Sequence, residues 1–178
     1  MEYELLIREA EVEDAAELVS FLNRVSVETD FTSLDRDGIL MTDTEMELFL
    51  DKQAHSENQI TLLALLNDEI AGIVNITADQ RKRVRHIGDL FIVIGKRYWN
   101  NGLGSFLLEE AIEWAQASGI LRRLQLTVQT RNQAAVHLYQ KHGFVIEGRQ
   151  ERGAYIEEGK FIDVYSVSYT HLRAHETV

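Results

Sequence analysis

The reading of this chain turns on one stretch, Ile92-Val93-Ile94-Gly95-Lys96-Arg97-Tyr98-Trp99-Asn100-Asn101-Gly102-Leu103-Gly104-Ser105. A β-branched run gives way to a polar loop with glycines, and an amphipathic segment begins directly behind it. From Gly102 to Ser118, Leu103, Leu107, Leu108, Ala111, Trp114 and Ala115 recur at helical spacing, while Glu109, Glu110, Glu113 and Gln116 lie towards the other face. Gly119 stands where a left-handed cap ends a helix. The order is therefore buried strand, glycine loop, helix. Glycines let the backbone approach a ligand closely, and a helix start presents unpaired N–H groups with a partial positive charge. Together they make an anion site suited to a pyrophosphate, although an ordinary strand–helix turn has the same local pattern. A dinucleotide fingerprint would need a third glycine where Leu107 stands. The Gly-Lys-Ser/Thr of a nucleoside-triphosphate loop is absent.

Working outward, Tyr3–Glu9 predicts a strand, and Ala15, Leu18, Val19, Leu22 and Val25 form a helical stripe over Glu13–Val25. Ser26–Asp43 reads as loop and Thr44–Gln53 as a second helix. Ile60–Leu66 and Ile70–Thr77 predict strands around a tight turn at Asn67-Asp68-Glu69, with Arg85–Ile94 as the third strand of an antiparallel meander. Downstream, Leu124, Leu126 and Val128 alternate with Gln125, Thr127 and Gln129, a strand with one polar face. Asn132 is a good N-cap for a helix over Gln133–His142, which Gly143 ends. Phe144–Ile146 and Lys160–Val167 predict final strands around a turn at Glu157-Glu158-Gly159. The fold class is α/β: a mixed sheet with an antiparallel meander, a parallel crossover around the third helix, and helices packed on it.

The 178 residues suit one domain, taken as residues 1–167. The polar tail Ser168–Val178 breaks the apolar alternation and reads as a frayed end or as residues foreign to the fold. Cysteine is absent, which removes disulfides, thiolate metal sites and a cysteine nucleophile. His137 and His142 have no zinc spacing, and His171 and His175 lack a third ligand, so no metal is expected. No apolar run is long enough to span a bilayer, and Met1-Glu2-Tyr3-Glu4 lacks the basic region of a signal peptide, so a soluble cytoplasmic protein is expected. The net charge of −11 disfavours nucleic acid and anionic membranes and mildly favours a cationic acceptor, though it also serves plain solubility. The basic cluster Arg81-Lys82-Arg83 with Arg85 reads as a solvated turn.

The segment Asn132-Gln-Ala-Ala-Val-His-Leu-Tyr-Gln-Lys-His-Gly-Phe144 resembles the GNAT acetyltransferase signature Asn-x-x-Ala-x-x-x-Tyr-x-x-x-Gly-Phe, and Gly102-Leu-Gly104 lies upstream where that superfamily places its pyrophosphate loop. Glu147-Gly148 through Gly159-Lys160-Phe161-Ile162-Asp163 looks like the ribosomal-protein or small-amine branch. The resemblance covers about Leu6 to Val167. It implies a GNAT-type sheet with central parallel strands splayed apart, acetyl-CoA as cosubstrate, an amine acceptor (a small molecule or a protein N-terminus), and a possible homodimer. One departure is Trp99, where many members carry Gln or Arg; Asn100-Asn101 likewise replaces a common glycine and basic residue.

The resemblance also implies the site. Backbone groups of Ile92, Val93 and Ile94 would meet the pantetheine amides, and Asn100, Asn101, Gly102, Leu103, Gly104 and Ser105 the pyrophosphate. Asn132 would touch the cofactor or simply cap its helix. Tyr139 matches the family's acid, and a phenol, which ordinarily titrates at about 10, can protonate a thiolate whose thiol titrates at about 8.5. Asp89 is the candidate base for direct attack of a neutral amine on the thioester, its other reading being a strand-surface carboxylate. Glu28 and Asp30 would line the acceptor pocket. The competing reading is a catalytically weak CoA-binding regulatory module.

Overall fold

A computed structural model describes residues 4–156 and 159–174. Met1–Tyr3, the expected turn residues Glu157 and Glu158, and residues 175–178 with His175 lie outside it. The chain runs β1 (Leu5–Glu9), α1 (Ala15–Glu28), α2 (Asp43–Ala54), β2 (Ile60–Leu66), β3 (Glu69–Ala78), β4 (Ile87–Ile94), α3 (Leu103–Ser118), β5 (Arg123–Gln129), α4 (Gln133–Lys141), β6 (Val145–Ile156) and β7 (Lys160–Tyr169). One seven-stranded sheet has the order β1-β2-β3-β4-β5-β7-β6. The expected meander is present: β2, β3 and β4 pair antiparallel in sequence order. Its first turn is tighter than expected, with Asn67 and Asp68 both at positive φ and Glu69 already in β3.

Strand alternation sends side chains to two cores, one on each face of the sheet. Leu63, Leu65, Ile73 and Val93 pack under α1 and α2 with Leu18, Phe21, Leu22 and Leu50. Leu62, Ala64, Val74, Ile76 and Leu90 pack on the opposite face with Leu103, Leu107, Leu108 and Ala111 of α3 and Tyr139 of α4. Helices therefore cover both faces, which is why β2 is apolar at nearly every position rather than alternating.

Local chemistry sets the helix ends. The Thr42 side chain accepts from the Glu45 N–H at 3.1 Å while the Glu45 carboxylate accepts from the Thr42 N–H at 3.1 Å, a capping box that starts α2. The Asn132 side chain accepts from the Ala135 N–H at 3.3 Å and caps α4 as expected. Gly119, at φ +68, closes α3.

Several boundaries differ from the sequence reading. Helix α1 runs through Ser26–Glu28, expected as loop, because Ser26 is buried and bonds back to the Asn23 carbonyl at 2.7 Å. The basic cluster is a turn, with Arg81 paired to Asp79 at 2.9 Å and Arg85 to Glu57 at 3.4 Å, so β4 begins at Ile87 rather than Arg85. Strand β6 is far longer than Phe144–Ile146, and β7 continues through Ser168 and Tyr169, past the boundary drawn at 167. Both residues pair with β5, and Leu172 behind them is buried. Among the described residues, no helix is long and apolar enough to cross a membrane.

The β3–β4 connection hangs on one side chain. Asn58, fully buried, donates to the carbonyls of Asp79 at 3.1 Å and Arg85 at 3.0 Å and accepts from Ser56 at 3.0 Å and Gln80 at 2.9 Å. Asn58→Ala strands these partners and should cost about 2–3 kcal/mol, a fall of roughly 5–10 °C in melting temperature for a chain of this size. A thermal melt within 2 °C of wild type would refute that role.

Candidate active site

The site is made by two strands that part. Strands β4 and β5 run parallel and pair only at Ile87–Arg123, Gly88–Leu124 and Asp89–Gln125. Beyond that point β4 stays with β3 through Ile94, while β5 stays with β7 through Gln129. The facing edges Leu90–Ile94 and Leu126–Gln129 thus diverge and line a cavity of about 1150 Å³.

The expected cofactor residues gather here. Ile92, Val93, Ile94, Asn100, Gly102, Leu103, Gly104, Ser105, Asn132 and Tyr139 all line the cavity. Asn101 does not; its amide donates to the Tyr98 carbonyl at 3.3 Å and shapes the loop from outside. Gly102 takes φ +77 just before α3, and a Cβ there would meet nothing within 4 Å. Backbone conformation alone calls for glycine at that position. Asn100 is also at positive φ, +65. No side chain caps α3, so its first-turn N–H groups are left to solvent or a ligand. His142 Nε2 lies 3.1 Å from Ser105 Oγ and ties that first turn to the end of α4.

Trp99, the departure noted in the sequence, has a structural task. Its indole N–H donates to the Ile94 carbonyl at 2.9 Å, locking the loop to the end of β4. The loop therefore offers an anion backbone N–H groups rather than a side-chain charge.

Tyr139 is 4% exposed, in contact with Phe144 at a ring separation of 5.5 Å. Burial pushes its phenol pKa well above the ordinary value, because the phenolate would be desolvated. Of its two readings, the placement of Asp89 fits the strand-surface carboxylate. It shares a face of β4 with Phe91 and Val93, which pack under α1, whereas Tyr139 clusters with Leu90 on the other face. Asp89 is exposed, accepts from the Gln125 amide at 2.9 Å and is not among the cavity-lining residues. It stands at the closed end of the split as a strand-surface carboxylate.

Glu28 and Asp30 do line the cavity, on the wall formed by the end of α1 and the loop behind it. Sequence reasoning missed what fixes that wall. Arg131 donates to Asp30 at 2.6 Å and to Gln129 at 2.8 Å, and its guanidinium lies 5.0 Å from the centroid of the Phe31 ring. The buried Gln129 amide donates to the Asp30 carbonyl at 2.6 Å. The available signal was Gln129 at the end of a strand otherwise closing on apolar Val128, with Arg131 two residues on. Gly153, Ala154, Tyr155, Ile156 and Val164 of the β6–β7 hairpin complete the far side. Among the described residues no cluster of three metal-ligating side chains occurs.

Known proteins share this architecture. The crystal structure of an acetyltransferase of the GNAT family from Streptococcus pneumoniae is 87% identical and superposes with a TM-score of 0.92, covering 93% of this chain and 99% of that one. A GNAT superfamily phosphinothricin acetyltransferase from Sinorhizobium meliloti, solved in complex with acetyl-CoA, superposes with a TM-score of 0.79 at 18% identity, over 93% of this chain and 87% of that one. The L-amino acid N-acetyltransferase AaaT of Escherichia coli K12 is 34% identical over 104 residues, 58% of this chain and 64% of that enzyme, so the alignment spans somewhat under two thirds of its length. Residues 20–144, from α1 through the Gly143-Phe144 that follows α4, match the Acetyltransferase (GNAT) family, and the chain belongs to that family.

Proposed function

We propose that this protein is an N-acetyltransferase that moves the acetyl group of acetyl-CoA onto a primary amine. The observation that carries the reading is the parting of β4 from β5, which brings the uncapped start of α3 and the buried Tyr139 onto one cavity. At about 1150 Å³ that cavity exceeds the volume of most single small-ligand pockets, about 300–1,000 Å³, as a long cosubstrate plus an acceptor requires.

The residues present fit acetyl-CoA. The free edge of Ile92–Ile94 suits the pantetheine amides, which would add to it as a half-strand. The loop from Asn100 to Ser105 suits the pyrophosphate through main-chain N–H groups. Acetyl-CoA supplies an acyl group already activated as a thioester. The chain's own residues then orient the acceptor, offer a strand N–H near Ile92 or Val93 to a developing oxyanion, and hold a proton on the Tyr139 hydroxyl for the departing sulfur; the amine enters as its free base, its nitrogen replaces sulfur on the acyl carbon, and the proton it sheds passes to solvent, from which the phenol is restored. Because burial raises the Tyr139 pKa, the phenol keeps that proton at neutral pH and above. Asp89 is not assigned as base, since it lies outside the cavity lining and accepts from the Gln125 amide at the closed end of the split. The acceptor class is a primary amine, of which the amino group acetylated by the E. coli relative is one instance.

The chain has no cysteine, so any thiol appearing in a reaction mixture is that of CoA, and a thiol-reactive dye reads turnover directly. Incubation with acetyl-CoA and a panel of amines should release it. Binding of acetyl-CoA by calorimetry with no release across the panel would sink the enzyme reading and leave a regulatory CoA-binding module.

Tyr139→Phe should lower kcat by roughly 10²–10⁴-fold, with the KM for acetyl-CoA within threefold of wild type. The raised phenol pKa has a sign consequence: the proton-donating form persists as pH rises, so kcat should show no falling limb below about pH 10. A limb near pH 8–9 that disappears in Tyr139→Phe would contradict the assignment. Gly102→Val places a β-branched residue at φ +77, which costs about 1–2 kcal/mol. It should weaken acetyl-CoA binding at least tenfold by calorimetry while the circular dichroism spectrum is retained.

A further inference from the structure

One face of α4 grips the start of α3. Leu138 and His142 stand one turn apart at the end of α4 and so share a face. The Leu138 Cδ2 atom lies 3.2 Å from where a Cβ at Gly104 would stand. The His142 Nε2 atom lies 3.1 Å from Ser105 Oγ. The backbone beneath this imidazole is fixed, because the His142 N–H closes α4 on the carbonyls of Leu138 at 3.3 Å and Tyr139 at 3.1 Å. Ser105 lines the cavity and His142 does not. The ring therefore stands behind a hydroxyl that belongs to the cavity wall.

This contact has two forms, because a neutral imidazole carries its hydrogen on one nitrogen or the other. With Nε2 bare, Ser105 donates to the ring, and the hydroxyl presents only lone pairs to the cavity. With hydrogen on Nε2, the ring donates to Ser105 Oγ, and the serine's own hydrogen is free to point at an occupant. An anion at the start of α3 is repelled by the first form and held by the second. The choice matters here, because none of the cavity-lining residues from Tyr98 to Ser105 is basic and the Trp99 N–H is committed to the Ile94 carbonyl.

Resting on the acetyl-CoA reading, we propose that His142 is a positioning residue for the cosubstrate: it donates through Nε2 to Ser105 and so turns the Ser105 hydroxyl into a donor for the diphosphate. His142 acts through the serine and does not touch the ligand. Tyr139 lies on the same helix, so α4 sets the diphosphate and the phenol at a fixed distance from each other.

The test uses the full chain and CoA itself. By calorimetry, His142→Leu should weaken CoA binding at least tenfold, about 1.4 kcal/mol, and Ser105→Ala by a similar factor. The double variant should lose no more than threefold beyond either single one, because both substitutions remove the same interaction. His142→Gln, whose amide can still donate to Ser105, should bind CoA within threefold of wild type. Nitrogen-15 spectra of the wild-type imidazoles, with the His142 signals identified by their loss in His142→Gln, should show hydrogen on Nε2 once CoA is bound. The glutamine rescue and the ring signal are readouts that a packing role alone would not move. A loss below threefold in His142→Leu, losses that multiply in the double variant, or a bare Nε2 in the CoA complex would overturn the proposal and leave the transferase reading standing. A wild-type protein that binds no CoA would overturn both. The expected binding pattern in a protein that releases no thiol with any amine would uphold the role of His142 and refute the transferase reading alone.

Discussion

The structure depends on a backbone ladder that stops. After Asp89 and Gln125 the parallel pairing of β4 with β5 ends, yet neither strand is lost, because each is held along its outer edge by an antiparallel neighbour. The split therefore forfeits inner hydrogen bonds only. Buried N–H and C=O groups that lose their partners must find others, and a ligand with its own amides is the natural supply. The sheet creates the demand, and the glycine loop ahead of α3 adds uncapped helix N–H groups to the same cavity.

The same split explains why charge is distributed unevenly around the cavity. On the α3 side the wall presents main-chain N–H groups and a buried phenol, with Trp99 fixing the loop to Ile94. On the α1 side the wall carries carboxylates, one tied into the network of Arg131, Gln129 and Phe31 and one accepting from the Lys96 backbone N–H. The chain's overall negative charge adds a weak long-range bias in favour of cations.

Much of this was legible in the sequence, for identifiable reasons. The amphipathic stripe of α3, the Asn132 cap and the loop glycines are local signals that tertiary packing had no cause to override. The meander was readable because Asn67-Asp68 is a turn by its own chemistry. The side taken by Asp89 stayed open because β4 is covered on both faces, so its apolar residues do not declare which side a lone carboxylate takes. Strand β6 was cut short for the opposite reason: almost every residue in it is exposed, so no alternation marks it as a strand. The end of β7 was missed because Ser168, though polar, is buried in the pairing with β5. The Arg131–Asp30 contact joins residues too far apart in the chain for any local pattern to betray it.

Strand β6 has a consequence for how this protein behaves in concentrated solution. It is a long outermost strand, and an open edge of that length would ordinarily invite another chain to add to it. Its register against β7 is broken twice, between Ile146 and Gly148 and between Gln150 and Ala154, and Arg152 within the second break has a positive φ. Such interruptions twist the strand and leave no flat row of donors and acceptors to copy. The hairpin that walls the cavity is thus built with irregularities that guard it against growing into a filament.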